Sequence, residues 1–186
     1  ALAATFAAHG AWMLHGAAIV GPSGGVLILG NSLAGKSTTA AASLMAGYRI
    51  IGDDFILLWQ QGEKLACRSL RSYATLRLEA WRALSTLPGF PSNSWRRAGQ
   101  IYRVELDKAN PAFIAERCKI NLRLHASDSK FDNRPSLSEI APIDTVKGLR
   151  LIMQASSPAI FDTRLRQPTN LLASTASKLL RSTPGY

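Results

Sequence analysis

The sequence predicts an α/β protein, a P-loop nucleotide-binding fold with a mixed central sheet flanked by helices. Three observations carry that expectation. Val26–Leu29 is a short apolar, β-branched run, and Gly30–Ser37 (GNSLAGKS) fits GxxxxGK[ST] at every fixed position. Thr38–Ala46 is then an Ala-rich helical run closed by Gly47, where a helix favours its C′ glycine. Strand, glycine loop and helix in direct succession make the motif a phosphate site rather than a string match. Chance alone yields the string in a chain of this length on the order of once in a hundred.

Taken from the start, Leu2–Ala11 reads as a helix and Trp12–Val20 as a strand carrying His15. Gly21-Pro22-Ser23-Gly24-Gly25 is a turn into the P-loop strand. The loop itself, Gly30, Asn31, Ser32, Leu33, Ala34, Gly35, Lys36 and Ser37, with Thr38 behind it, supplies the nucleotide-binding residues. Four residues between the glycines let successive backbone N–H groups wrap the phosphates, and the helix opening at Gly35 adds its positive end. Lys36 is suited to the β- and γ-phosphates, and the Ser37 hydroxyl to Mg²⁺.

Arg49–Leu58 is a second buried strand, interrupted by Asp53 and Asp54. Neighbours on a strand point to opposite faces, so only one carboxylate meets the phosphates unless the backbone bends there. Phosphoryl transfer gives two carboxylates separate work: one holds the metal, the other accepts a hydroxyl proton. We assign Asp53 to the metal and Asp54 to the base. The plainer alternative is an Asp-Asp turn between two short strands.

Phe55–Gln60, a Gln61–Lys64 turn and Leu65–Leu70 form a hairpin pattern. Tyr73–Leu87 reads as a strand running into a helix, with Trp81 in its core. Leu87–Gln100 is irregular, with two Pro, two Gly and a Trp-Arg-Arg triplet; it is a solvated loop, or one in which Arg96 and Arg97 clamp phosphate or an acidic peptide. Ile101–Leu106 and Cys118–His125 alternate as strands, with Arg117 and Lys119 as solvated strand-end charges. Ala126–Pro135 is a polar loop. Ser138–Met153 reads as one or two helices with Pro142 near a start, and Leu171–Leu180 as a helix capped by Thr169 or Asn170.

The order His15-Gly16, Gly24-Gly25-Val26, P-loop, Gly47-Tyr48-Arg49, Asp53-Asp54 resembles the catalytic domain of HPr kinase/phosphorylase and its smaller kinase relatives. The resemblance covers Leu14–Leu58; beyond it only the general rhythm is shared. It implies that His15, Lys36, Ser37, Asp53 and Asp54 surround the γ-phosphate of a Mg²⁺-bound ATP. Otherwise His15 is a satisfied core histidine. The family's E-[IVL]-R-G-[LI]-G signature is missing after the Asp pair, which favours a monofunctional relative such as the kinases that modify lasso-peptide precursors. The ending, Ser182–Tyr186, resembles a turn that leads into a last strand in relatives, and the chain lacks an initiator Met, so we expect a domain trimmed at both ends.

Composition sets the bounds. The 186 residues suit one domain, residues 1–186, with a substantial core, and 47% apolar content argues against disorder. Cys67 and Cys118 stand far apart in sequence without a CxxC or Cys/His cluster, which suits a reducing cytoplasm and argues against a disulfide scaffold or structural zinc. The Ala-rich start lacks a basic n-region and is interrupted by His9, Gly10, His15 and Gly16 short of a membrane span, so no membrane partner is expected. Net charge is +10. The basic residues are scattered and no nucleic-acid motif accompanies them, so an acidic peptide or small protein, together with ATP, is the expected partner. A homo-oligomer is compatible with all of this.

No NKxD follows the P-loop, against a GTPase, and no LSGGQ-like stretch, against a transport ATPase. The expected function is an ATP- and Mg²⁺-dependent kinase that phosphorylates a hydroxyl, serine foremost, on a small protein or peptide. The alternatives are a nucleotide-binding regulatory module that needs no base at Asp53 or Asp54, and a small-molecule kinase with an enclosed acceptor pocket.

Overall fold

The computed structural model describes residues 2–71, 73–105, 108 and 112–126. The expected helices at 138–153 and 171–180 and the chain's ending lie outside the described residues, as does the 126–135 loop after its first residue.

A short helix α1 (Leu2–Ala8) leads into strand β1 (Ala11–Gly21), and a tight turn returns the chain as β2 (Gly24–Gly30). After the P-loop come α2 (Lys36–Ala42) and a 3-10 turn over Ser43–Ala46. The predicted single helix over 38–46 therefore tightens in its last turn, and Gly47 closes it at φ 78°, a left-handed conformation natural to glycine. Strand β3 (Arg49–Gln61) runs unbroken through both aspartates and turns at Gly62 into β4 (Lys64–Ser69). Strand β5 (Tyr73–Arg77) passes directly into α3 (Leu78–Ser85).

The 87–100 stretch differs from the expected irregular loop. It contains a 3-10 turn at Ser92–Ser94 and a short strand, β6 (Arg96–Ala98), hairpinned to β7 (Ile101–Glu105). Two aromatic anchors explain the order: Phe90 and Trp95 are buried and stack on one another with centroids 6.2 Å apart. The last described strand is β8 (Arg117–Ala126).

Five strands close into a barrel in the order β1-β2-β8-β4-β3, and β5-β7-β6 form a separate sheet. The barrel is mixed: β2 and β8 run parallel and the other pairs antiparallel. A parallel pair requires a crossover. Here everything from α2 to β7 lies between β2 and β8 in the chain, and helices flank the sheets.

Strand alternation produces two apolar layers on β1 and β2. Leu14, Ala18, Leu27 and Leu29 point into the barrel with Ile51, Ile56, Leu58, Leu65 and Ile120. Ala17, Ile19 and Ile28 point outward beneath Ala40 of α2. A third cluster, including Ala41, Leu44, Ile50, Leu76 and Val104, joins α2 and β3 to the small sheet. The P-loop helix is thus bedded on both units, and that fixes the loop's position beyond the end of β2 and beside Asp53 of β3.

Cys67 and Cys118, distant in sequence, are directly paired across β4 and β8, with Sγ atoms 3.6 Å apart and both thiols free.

Candidate nucleotide and phosphoryl-transfer site

The P-loop leaves β2 at Gly30, whose φ of 147° and proximity to the Ala126 carbonyl leave no room for a Cβ. Leu33 also sits in the left-handed region, at φ 71°, with its side chain exposed at the loop's tip. Gly35 (φ 85°) then starts α2. Lys36 is buried to 6% exposure, and its ammonium donates to the carbonyls of Gly30 (2.9 Å) and Asn31 (2.7 Å). The lysine therefore arches back across the loop and holds it curled.

Ser37, one residue on, donates its hydroxyl to Asp53 Oδ1 at 2.7 Å. This bond ties the P-loop helix to β3. The other Asp53 oxygen accepts from the backbone N–H of Thr75 at 3.2 Å and from its hydroxyl at 3.3 Å. Asp53 is only 3% exposed. Burial raises its pKa, and the neighbouring Asp54 charge adds to that, against the lowering effect of the Ser37 and Thr75 hydrogen bonds.

The bend that two adjacent carboxylates require is present. Asp54 has φ 73°, and it and Leu33 are the only non-glycine residues with positive φ among those described. In the β1–β3 register Asp54 pairs with Gly16, while Ala17 and His15 pair with Asp53 and Phe55 on the other face. Regular alternation would turn Asp54 into the barrel. The left-handed residue instead brings its carboxylate out beside His15 and Arg71. His15 Nδ1 lies 2.9 Å from Asp54 Oδ1 and 3.0 Å from the Asp54 carbonyl. Arg71 Nη1 pairs with Asp54 Oδ2. Its guanidinium also lies over the rings of Phe55 (4.6 Å) and Tyr73 (5.3 Å). Strain of this kind persists where the surroundings over-determine it, and it concentrates at functional sites.

The residues expected to build the nucleotide site thus come together: the loop over 30–38, Lys36, Ser37, Asp53, Asp54 and His15. The core-histidine alternative for His15 fails, because its side chain is 40% exposed and faces Asp54. The Asp-Asp turn fails too, since β3 is continuous through the pair. Two residues went unnoticed, Arg71 and Thr75. Arg71 was within reach of the hairpin pattern: Gln61 opposite Lys64 sets a register that, extended past Ile56–Ser69, puts Asp54 opposite Arg71. Thr75 had no local signal, because its contact depends on how the small sheet meets the barrel. Arg96 and Arg97 lie apart from this cluster, on the far strand of that sheet.

Ser37 and Asp53 present a hydroxyl and a carboxylate oxygen in contact, hard donors of the kind Mg²⁺ accepts while keeping waters and phosphate oxygens as its other ligands. Among the described residues no group of three or more His, Cys, Asp or Glu could hold a metal by itself.

Fold and site together define an α/β protein with a P-loop facing an acidic strand. No protein-family model matches the chain, and no curated protein does. Among solved structures it is similar in fold to the Hpr(Ser) kinase/phosphatase from Coxiella burnetii, with 18% sequence identity over 71% of this chain and 72% of that one and a TM-score of 0.41. Among the described residues no helix is long and apolar enough to cross a membrane.

Proposed function

We propose that the protein is an ATP-dependent kinase that transfers the γ-phosphate to a hydroxyl, serine foremost, of a small protein or peptide. One observation carries this reading: the 2.7 Å Ser37–Asp53 bond joins the P-loop to a strand whose next residue is a second, accessible carboxylate. A site that only bound nucleotide would have no use for Asp54 in a strained conformation between His15 and Arg71.

ATP with Mg²⁺ supplies the phosphoryl group and the charge that screens it. Lys36 would exchange its two carbonyl partners for phosphate oxygens, and the P-loop amides would hold the same anions. Ser37 and Asp53 would hold the metal, with Thr75 keeping the second Asp53 oxygen in place. Asp54 would accept the proton of the acceptor hydroxyl as its oxygen bonds to the γ-phosphorus and the bond from that phosphorus to the departing ADP breaks. His15 and Arg71 fix the Asp54 carboxylate in the rotamer that this needs. The catalytic contribution is positioning and charge neutralisation.

The test is incubation with radiolabelled ATP and serine-containing acidic peptides, followed by mass-spectrometric location of the phosphate. Transfer by the wild type and none by Lys36→Ala is the expected result. Nucleotide binding without transfer to any peptide or small hydroxyl compound would return the protein to the class of nucleotide-binding modules.

A further inference from the structure

The three-stranded sheet presents two unlike faces. Ala74, Leu76 and Val104 point into the core beneath α2. The opposite face follows from the register. Thr75 pairs with Arg103, and Arg103 pairs in turn with Arg96 across β7. These three side chains therefore form one row across the sheet. The row begins at the candidate site, because Thr75 is the residue that holds Asp53. It ends at an open hollow of about 650 Å³, lined by Arg96, Arg97, Arg103, Glu105 and Lys108 with Asn93, Ser94 and Ala98.

Among the described residues four cations stand there against one carboxylate. Glu105 pairs with Arg103 at 2.7 Å, and Arg103 also lies over the Tyr73 ring at 3.9 Å. Among the described residues the tip charges do not pair with acids: Arg96 donates to the Asn93 and Trp95 carbonyls and Arg97 to that of Gly99 at 3.1 Å. Carbonyl contacts orient a guanidinium without neutralising it, so the hollow keeps its positive charge.

We propose that this row is the docking track for the acceptor, an extended peptide whose acidic side chains lie over Arg103 and Arg96 while its hydroxyl reaches Asp54. The track rests on the kinase reading for the hydroxyl but not for the docking. Adjacent strands are about 4.8 Å apart, which sets Arg103 and Arg96 about 5 and 10 Å beyond Thr75. At about 3.3 Å per residue of extended chain, and allowing for the step from Thr75 to Asp54, the recognised acids fall about three to five positions from the acceptor serine. Guanidinium groups suit carboxylates because two parallel N–H groups can meet both oxygens.

The experiment separates docking from transfer. A fluorescein-labelled peptide with one serine and a run of glutamates at that separation is titrated by anisotropy against the wild type, Arg96→Gln/Arg97→Gln and Arg103→Gln. Its Glu→Gln and Glu→Lys counterparts and an oligothymidylate of equal charge run alongside. The expected result is that the acidic peptide binds in a salt-sensitive manner and loses about tenfold or more in the arginine variants, as expected where a cluster of cations meets a run of carboxylates. Mg-ATP affinity stays unchanged throughout. Equal binding of the Glu and Gln peptides, or undiminished binding by the double variant, overturns the track. Tighter binding of the oligothymidylate overturns it in favour of nucleic acid. If the acidic peptide docks as expected but receives no phosphate, the track stands and the kinase reading falls.

Discussion

Asp53 and Asp54 are chain neighbours with opposite surroundings. Asp53 is buried beneath α2 and β5, and its contacts are hydroxyls and one amide. Asp54 is about one-third exposed and held between a histidine and an arginine. The first carboxylate is set in a cage of neutral donors, one of which, Ser37, is suited to sharing a metal. The second is clamped between an imidazole and a guanidinium on one side and open on the other. Contrasting environments can give paired carboxylates different roles, and here one left-handed residue creates the contrast within a single strand.

The sharpest way to break this contrast is by substitution on the nucleotide side. Lys36→Ala should abolish transfer, measured by radiolabelled phosphate incorporation. Asp53→Asn should weaken Mg-ATP binding in calorimetric titration, and Ser37→Ala should raise the Mg²⁺ concentration needed for activity. Asp54→Asn should bind Mg-ATP normally and lose roughly 10²–10⁴ in single-turnover rate, the usual contribution of a general base. If Asp53→Asn binds normally but fails to transfer, the two roles are reversed.

A middle-sized effect should come from Arg71. Arg71→Ala removes one of the two groups that hold Asp54 and should slow transfer roughly tenfold, a positioning loss, with Mg-ATP affinity unchanged. Arg71→Lys keeps the charge but forfeits the planar fork and the stacking on Phe55 and Tyr73, so it should recover only part of the rate. Full recovery would reduce Arg71 to a simple counter-charge.

How much of this was legible in the sequence follows from how local each signal was. The P-loop, its strand and its helix were readable because glycine chemistry and alternation act within a few residues. The Asp pair posed its own question, since two acids on one strand cannot share a face, but the answer lay in the φ of Asp54. Barrel closure was not legible: β2 pairs with β8, nearly a hundred residues on, and nothing in either strand names its partner. A separation of 51 residues likewise hid Cys67 from Cys118. The order within 87–100 was missed because Pro and Gly mark turns whether or not buried aromatics such as Phe90 and Trp95 pin the chain between them.

The smallest effect tests the Asp53 cage in the absence of ligand. Burial lifts the Asp53 pKa above its ordinary 3.8 in the folded protein. The folded state therefore holds that proton more tightly than the unfolded chain does. By linkage, stability falls as pH rises from below the unfolded value through the raised folded one, and the loss persists at every higher pH. Asparagine has nearly the same shape and no proton to lose, so Asp53→Asn should escape that loss. Without nucleotide the variant should melt slightly above the wild type at neutral pH, and the difference should shrink as the pH drops below 3.8, where aspartate is protonated in both states. With saturating Mg-ATP the order should reverse, because only the wild type keeps the full metal contact and gains stability from binding. Calorimetric melts of both proteins across this range, with and without Mg-ATP, read the sign directly. A variant that melts below the wild type at neutral pH without nucleotide would mean that the Ser37 and Thr75 bonds more than offset burial, and that the cage stabilises the fold instead of holding a carboxylate at a cost for the metal.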